Sequence, residues 1–578
     1  VSGTANRVYP EELPVGYYLD NFQRILDFVD SHYRDILSRD EMKLSLDFQS
    51  LSLDARRLYV RLVSRKGPLF RSDTLYYREI ADTEAAAAQL AAAGFLQQDE
   101  PCELPEELSL LRKAEILELI AGCGPDSGGD APSRSIRSWR KEQLVELALT
   151  LPGDVRTWIR GRFHIYRPQR EREILIYRLL FFGNLYQDLT EFVVTDLGHV
   201  RYESYKIRKK DRLFRSREVL DQSFRLIELN DALYNAVEGR SVDEIDKNEL
   251  LELLEYLPEG TAVYEDPGLR RMRDNLINAV ARHLERTGDD GQALHLYRLA
   301  ELPPARERRA RILERLGRIE ESLELCRQIV ADPWEEAEQE FAERHIRKLS
   351  RKLSPGIQKT PRFKIPQHPL ELEYHPNMGV EERVLRHFHR RGFTGYHAEN
   401  ILWIGLFGLA FWDIVFLSLP GCFFNRYQRG PRDLFRPEFR RRRARLIEER
   451  LLHIRRNPSW PEEILELYDL KEGIASDLVH WKFLPRELVE RSVRTIPREH
   501  LVAIFDKLAE YPGGNKSGFP DLIVFATPGR QKALPYELIE VKGPGDQLQI
   551  NQKRWLRYFS SHGIPYRVIR VQWREEEE

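Results

Sequence analysis

The amino-acid sequence predicts a multidomain, α-rich chain that ends in a small α/β domain. Three observations carry this expectation. The chain has 578 residues, enough for several domains at roughly 100 to 200 residues each. Apolar residues recur at helical spacing in run after run before a proline-rich stretch at 354–376. Beyond that stretch, strand-like runs bounded by glycine and proline appear near 521–525, 536–542 and 565–573. Hydrophobic residues at 42% and charged residues at 31% supply material for several cores and exclude disorder as the main state.

Residues 1–100 read as an N-terminal helical, winged-helix-like domain. Amphipathic runs at Tyr18–Ile36, Leu53–Val63 and Thr83–Ala93 alternate with a short basic connection beginning at Ser64. Residues 101–155 hold two short helical runs, 110–121 and 135–149, joined by the loop GCGPDSGGDAPSR. This basic pair resembles the SAP DNA-binding module, with a longer loop; two helices of an ordinary helical domain is the competing reading.

Residues 156–240 are aromatic and, in one segment, strongly basic. The chain carries 90 Lys+Arg against 92 Asp+Glu, a formal net charge of -2, so bulk electrostatics would not draw it to nucleic acid or an anionic membrane. Local segregation must do that work, and Val200–Arg217 supplies it. Eight cations (Arg201, Lys206, Arg208, Lys209, Lys210, Arg212, Arg215, Arg217) stand against Glu203 and Asp211, with Tyr202, Tyr205 and Phe214 between them. Cations neutralise phosphates and aromatic rings stack on exposed bases. A solvated helix face or connecting loop is the alternative.

Residues 241–353 show a repeat at an offset of 29: Leu284 matches Leu313, Gly288 matches Gly317, and Ala293-Leu294 matches Ser322-Leu323. Helix, glycine turn, helix is a tetratricopeptide-like unit, though that period is nearer 34. Prolines at 355, 361, 366, 369 and 376 then make 354–376 an expected extended linker and main domain boundary. The last domain is expected over 377–578. Within it, Ile401–Leu419 approaches the roughly 20 apolar residues of a membrane span. Asp413 inside it and Pro420-Gly421 behind it favour a buried core helix instead. No membrane association is expected. The four cysteines (Cys102, Cys123, Cys326, Cys422) are scattered without a CxxC pair, so a reducing compartment and no zinc finger are expected. The first residues lack a signal-peptide pattern.

The chemistry lies in Gly513–Trp573. Asp521 opens an apolar strand after a glycine turn, and Tyr536–Lys542 is a second strand. Side chains alternate along a strand, so Glu540 and Lys542 share one face, and pairing of the two strands would bring Asp521 to them. Clustered carboxylates repel one another unless a cation intervenes. Two carboxylates can hold Mg²⁺ or Mn²⁺, which lowers the pKa of a water and offsets phosphate charge, while a lysine orients that water. The following helix, Gln547–Ser561, offers Gln552 and Lys553, and a strand at 565–573 completes a small α/β core. No P-loop, HExxH, GxSxG or GxGxxG pattern competes.

Asp521 with Glu540-x-Lys542 is the pattern of the PD-(D/E)xK nucleases. The blocks GFPDL (518–522), EVKGPGDQL (540–548) and QKRWL (552–556) resemble the VRR-NUC module of that superfamily, which has a restriction-endonuclease-like fold. With GYHAEN (395–400) and LFGLAFWDIVF (406–416), the chain resembles a bacterial member of the Fanconi-anaemia-associated nuclease family. That resemblance implies a structure-selective DNA nuclease, a phosphodiesterase of type I, with 5′-flap endonuclease and 5′-to-3′ exonuclease activity in interstrand-crosslink repair. It implies metal binding by Glu399, Asp521, Glu540 and the Val541 carbonyl, with Lys542 catalytic and Gln552 in support. The partner it implies is branched or 5′-flap DNA. The ubiquitin-binding zinc finger of animal members is not expected here, since no Cys/His set accompanies the N-terminus. A bacterial chain is expected in the cytoplasm beside the nucleoid, a eukaryotic one in the nucleus. A second basic cluster, Arg436–Arg445, includes Arg440, Arg441, Arg442 and Arg443, which either grip the DNA backbone or form a solvated helix face. A four-way-junction resolvase and a non-catalytic DNA-binding scaffold are the alternative functions.

Overall fold

A computed structural model describes residues 15–65, 67–123, 136–151, 154–187, 189, 192, 200–260, 265–353, 364–526 and 534–574. The first residues, residues 124–135, and parts of the proline-rich stretch and of the segment between Ala526 and Leu534 lie outside them. The chain forms two compact units, 1–200 and 201–578. The division falls just before the basic strip, not within 354–376, where the sequence suggests it. The expected 156–240 region is thus split between the units.

In the first unit, helices Tyr17–Tyr33, Arg39–Ser50, Leu53–Val63 and Thr83–Ala92 form; the periodicity predicts all of them except Arg39–Ser50. Ser38 and Glu41 cap the second of these reciprocally. The wing differs from the expectation. Strands β1 (Phe70–Arg71) and β2 (Leu96–Gln98) pair with β3 (Ile165–Pro168), which lies between them. The three-stranded sheet therefore closes only after the helix pair Lys113–Cys123 and Lys141–Leu149. Arg71 stitches the two parts. Its guanidinium bonds Glu115 at 2.5 and 2.8 Å and stacks 4.0 Å over Phe163.

The second unit begins with the basic strip and continues into helical hairpins. Pro267–Arg286 with Asp290–Leu299, and Ala305–Arg315 with Ile319–Ala331, are successive copies. The offset of 29 matches equivalent places: Gly288 and Gly317 turn with φ of 84° and 75°, and Ala293 and Ser322 are fully buried.

The C-terminal sheet has the order β4-β8-β7-β6-β5: β4 (Gln367–Leu372), β5 (Phe393–His397), β6 (Leu522–Ala526), β7 (Tyr536–Lys542) and β8 (Tyr566–Trp573). β4 and β7 flank β8 in parallel, while β6 pairs antiparallel with β5 and β7. The expected linker thus contains a strand. Pro369 is tolerated because β4 is an edge strand, where an outward N–H has no partner to lose. Helix Val380–Arg390 packs on one face with Ile539 and Val541. Between β5 and β6 the chain inserts helices that build the other face around Glu399–Ala410. That helix is the core element expected at 401–419. It ends at Phe411, and Asp413 turns outward to Arg450 at 2.8 and 2.9 Å. Among the described residues no helix is long and apolar enough to cross a membrane.

Candidate active site

Strand register assembles the site. Leu522 pairs with Ile539, so one step outward Asp521 comes opposite Glu540. Alternation on β7 sends Ile539 and Val541 into the layer against Val380–Arg390 and Glu540 and Lys542 to the opposite face. Glu540 is 0% exposed and Lys542 9%. Lys542 Nζ lies 2.7 Å from Glu540 Oε1, yet neither Glu540 oxygen accepts a well-aligned hydrogen bond. The pairing is short and off-axis. Asp521 Oδ2 accepts the Val541 N–H at 2.7 Å.

Burial raises both carboxyls, Asp521 to about 6 and Glu540 to about 7. Repulsion from Asp521 adds to the rise at Glu540, Lys542 opposes it, and Glu399 pushes both upward. Glu399 opens the core helix directly after β5. Its N–H and that of Ala398 both donate to the Asp521 main-chain carbonyl, at 3.2 and 2.9 Å. Glu381, on helix Val380–Arg390, also raises Asp521. Nothing in the sequence marks it, because its nearness to Asp521 exists only once the sheet is folded. Gln552 Oε1 accepts the Gln549 N–H at 2.8 Å and caps helix Ile550–Ser561.

A fully buried Glu540 whose oxygens accept no aligned hydrogen bond, beside a half-buried Asp521 that repels it, is a hard-oxygen donor set that a divalent cation would relieve. Among the described residues no three His, Cys, Asp or Glu side chains already stand at metal-ligand spacing. Asp521 and Glu540 face each other across the strand pair, and Glu399 acts on both through its charge.

Residues 16–97 match the family model described as "FAN1, HTH domain" and residues 457–573 match "VRR-NUC domain". The Fanconi-associated nuclease 1 homolog of Pseudomonas aeruginosa is 35% identical over 96% of this chain and 96% of its own. This chain belongs to the Fanconi-associated nuclease 1 family. The Arabidopsis thaliana homolog is 27% identical over 96% of this chain and 67% of its own length. A solved structure, described as paFAN1 bound to 2-nucleotide 5′-flap DNA with a gap, matches at a TM-score of 0.85 and 34% identity. That match covers 98% of this chain and 100% of the other. The family and the VRR-NUC match make the chain a nuclease that acts on DNA and depends on a divalent metal. Glu399, an exposed residue, lies before the VRR-NUC span, and its main-chain N–H bond to the Asp521 carbonyl is what brings it beside that residue.

The basic segments divide by burial. In the strip, Arg201, Lys206, Arg208, Lys209, Lys210 and Arg215 are exposed, while Arg217 pairs with Asp221 at 2.9 Å. Arg212 is only 8% exposed, with Nη2 donating to the Arg215 carbonyl, which removes it from a DNA surface. The strip is not a free loop. Glu203 accepts from Trp412 Nε1 and Lys471, both at 2.6 Å, and Tyr205 donates to the Asn425 carbonyl at 2.7 Å.

In this family member the arginine run falls on helix Glu438–Arg456. Arg441 is 71% exposed, Arg440 pairs with Asp506 at 2.6 Å, and Arg442 pairs with Asp433 at 3.0 Å. Arg443 is buried: its guanidinium bonds Asp433 at 2.9 and 3.1 Å and the Ile414 carbonyl at 3.1 Å. Expected at the DNA, Arg443 belongs to the core.

Proposed function

We propose that this structure-specific DNA nuclease cuts at 5′ flaps, with 5′-to-3′ exonuclease activity, in interstrand-crosslink repair. The observation that carries the reading is the Asp521–Glu540–Lys542 cluster, with Glu540 and Lys542 buried, in a chain that matches flap-bound paFAN1 over nearly its whole length. Glu399, Asp521, Glu540 and the Val541 carbonyl would hold Mg²⁺ or Mn²⁺. Bound there, the metal would lower the pKa of a water and offset charge on the phosphate. Lys542 would neutralise charge developing on a phosphate oxygen, and its low exposure makes that interaction stronger than in water. Capping by Gln552 would set the start of the helix behind the site. Hydrolysis of the phosphodiester is of the phosphodiesterase I type.

End-labelled 5′-flap, 3′-flap and mobile four-way-junction substrates, each with Mn²⁺ or with EDTA, test the reading. The 5′ flap should be cut fastest and EDTA should stop the reaction. Equal or faster cutting of the 3′ flap or the junction would overturn the flap assignment.

The helical units ahead of the nuclease are the parts that would hold and shape the substrate, with the exposed strip on the backbone. Backbone contacts position a duplex without reading its sequence. Replacing Arg201, Lys206 and Lys210 by glutamine should weaken flap binding alike for different sequences. The slope of log affinity against log salt should fall by about one for each phosphate that is no longer neutralised. An unchanged slope would move the DNA surface elsewhere.

A further inference from the structure

Two segments far apart in sequence are locked together at the site, and the lock has a side chain that the catalytic reading does not use. In one direction the Asp521 carbonyl accepts the N–H groups of Ala398 and Glu399, at 2.9 and 3.2 Å. In the other, Asn400 Oδ1 accepts the N–H groups of Gly518 and Phe519, at 3.0 and 3.3 Å. The four bonds form a clasp between the start of the core helix and the turn that delivers Asp521. We propose that Asn400 is a positioning residue that fixes Glu399 relative to Asp521 and so sets how well the carboxylates hold a metal ion. The inference rests on the metal-dependent nuclease reading of the same site.

The local geometry explains why a clasp is needed. Glu399 has φ of +34°, left-handed backbone that a non-glycine residue adopts only when its surroundings impose it. Ala398 beside it is 2% exposed, so the helix start cannot relax freely toward water. On the other side of the clasp, Gly518 has φ of +97°, and a Cβ there would lie 2.6 Å from the Asn551 carbonyl carbon. Only glycine lets the turn approach. Phe519 is wedged between Trp403 and Trp555, with ring centroids 5.8 and 4.0 Å away. The turn is thereby packed, while among the described residues Asn400 supplies the oxygen for its two N–H groups. Asparagine fits because its amide oxygen has two lone pairs. A carboxylate could accept the same two bonds, and alanine could accept neither.

The test uses the full chain and Mn²⁺ alone as probe, titrated without DNA by calorimetry. Asn400→Ala should weaken Mn²⁺ binding about tenfold or more, the usual cost of losing a residue that orients metal ligands. Its affinity for flap DNA in EDTA should stay within about twofold of wild type. Asn400→Asp keeps both acceptor lone pairs and should bring Mn²⁺ affinity back to within about threefold of wild type. If Asn400→Ala does not fold, Asn400→Ser, whose hydroxyl is too short to span both donors, reports the same titration. Wild-type Mn²⁺ affinity in the alanine or serine variant, or a loss that aspartate does not rescue, would overturn the role of Asn400. Failure of the wild-type protein to bind Mn²⁺ or to cut DNA would instead overturn the nuclease reading itself.

Discussion

Glu540→Gln should lower the cleavage rate about a thousandfold or more, leave flap binding intact, and make the metal-free protein more stable at alkaline pH. The first effect follows from removing a buried carboxylate from the set that would hold the metal, where preorganised charge dominates catalysis. The last follows from the sign of the pKa shift. The folded carboxyl sits at about 7, above its ordinary 4.5, so the native state binds the proton more tightly than the unfolded chain. That stabilising contribution is complete below about 4.5 and is lost as pH rises through 7. Its size is on the order of 3 kcal/mol, from about 1.4 kcal/mol per pKa unit. Asp521, raised to about 6, acts with the same sign. Denaturant midpoints in EDTA at pH 5.5 and 8.5 should therefore separate for wild type and separate less for the glutamine variant. Parallel changes in the two proteins would mean that Glu540 is not an ionised, desolvated group, and retained cleavage would remove it from the chemistry. Added Mn²⁺ should stabilise wild type at pH 8.5 and leave the variant nearly unaffected.

The parts of this arrangement that were legible in the sequence are those with short-range patterns. Asp521, Glu540 and Lys542 lie in or beside two strands whose alternation decides which residues share a face, so their meeting needed only one pairing to be assumed. The helical hairpins repeat their own buried positions, as Ala293 and Ser322 show. The apolar run after Glu399 resolved into a core helix because Asp413 had to reach water, and it does so with Arg450. What escaped sequence reasoning depends on partners far along the chain. β1 and β2 do not pair with each other; both wait for β3. Pro369 suggested a linker because only the fold reveals that β4 is an edge strand with β8 on one side. Asn400 carries no signal until Gly518 and Phe519 are brought to its amide oxygen. Glu381 joins the field at Asp521 only through the packing of Val380–Arg390 on the sheet.

Charge runs are the other case in which composition misleads, and Arg443 provides the sharpest test. Arg443→Ala should destabilise the nuclease by about 3–5 kcal/mol, the cost of leaving a buried ion without its partner. A helix turns about 100° per residue, so the consecutive arginines 440–443 cannot all face solvent. Phe439, Arg443, Ile447, Leu451 and Ile454 occupy the inward face of Glu438–Arg456, and Arg443 also lies 4.5 Å over the Phe439 ring. Removing it strips Asp433 of two hydrogen bonds and leaves Arg442 at 3.0 Å and the Cys422 thiol at 3.3 Å as its remaining partners. Those partners place the expected loss toward the lower end of the range. Arg441→Ala removes a side chain 71% exposed and should change stability by less than about 0.5 kcal/mol, while weakening flap binding if that surface meets DNA. Denaturant titration of the full-length variants, followed by tryptophan emission, separates the two: Trp412, Trp460 and Trp403 all lie in the core that Arg443 supports. A midpoint for Arg443→Ala equal to that of Arg441→Ala would show that the buried pair contributes nothing net. Arg443→Met together with Asp433→Leu should then recover much of the lost stability, because removing both charges costs far less than stranding one.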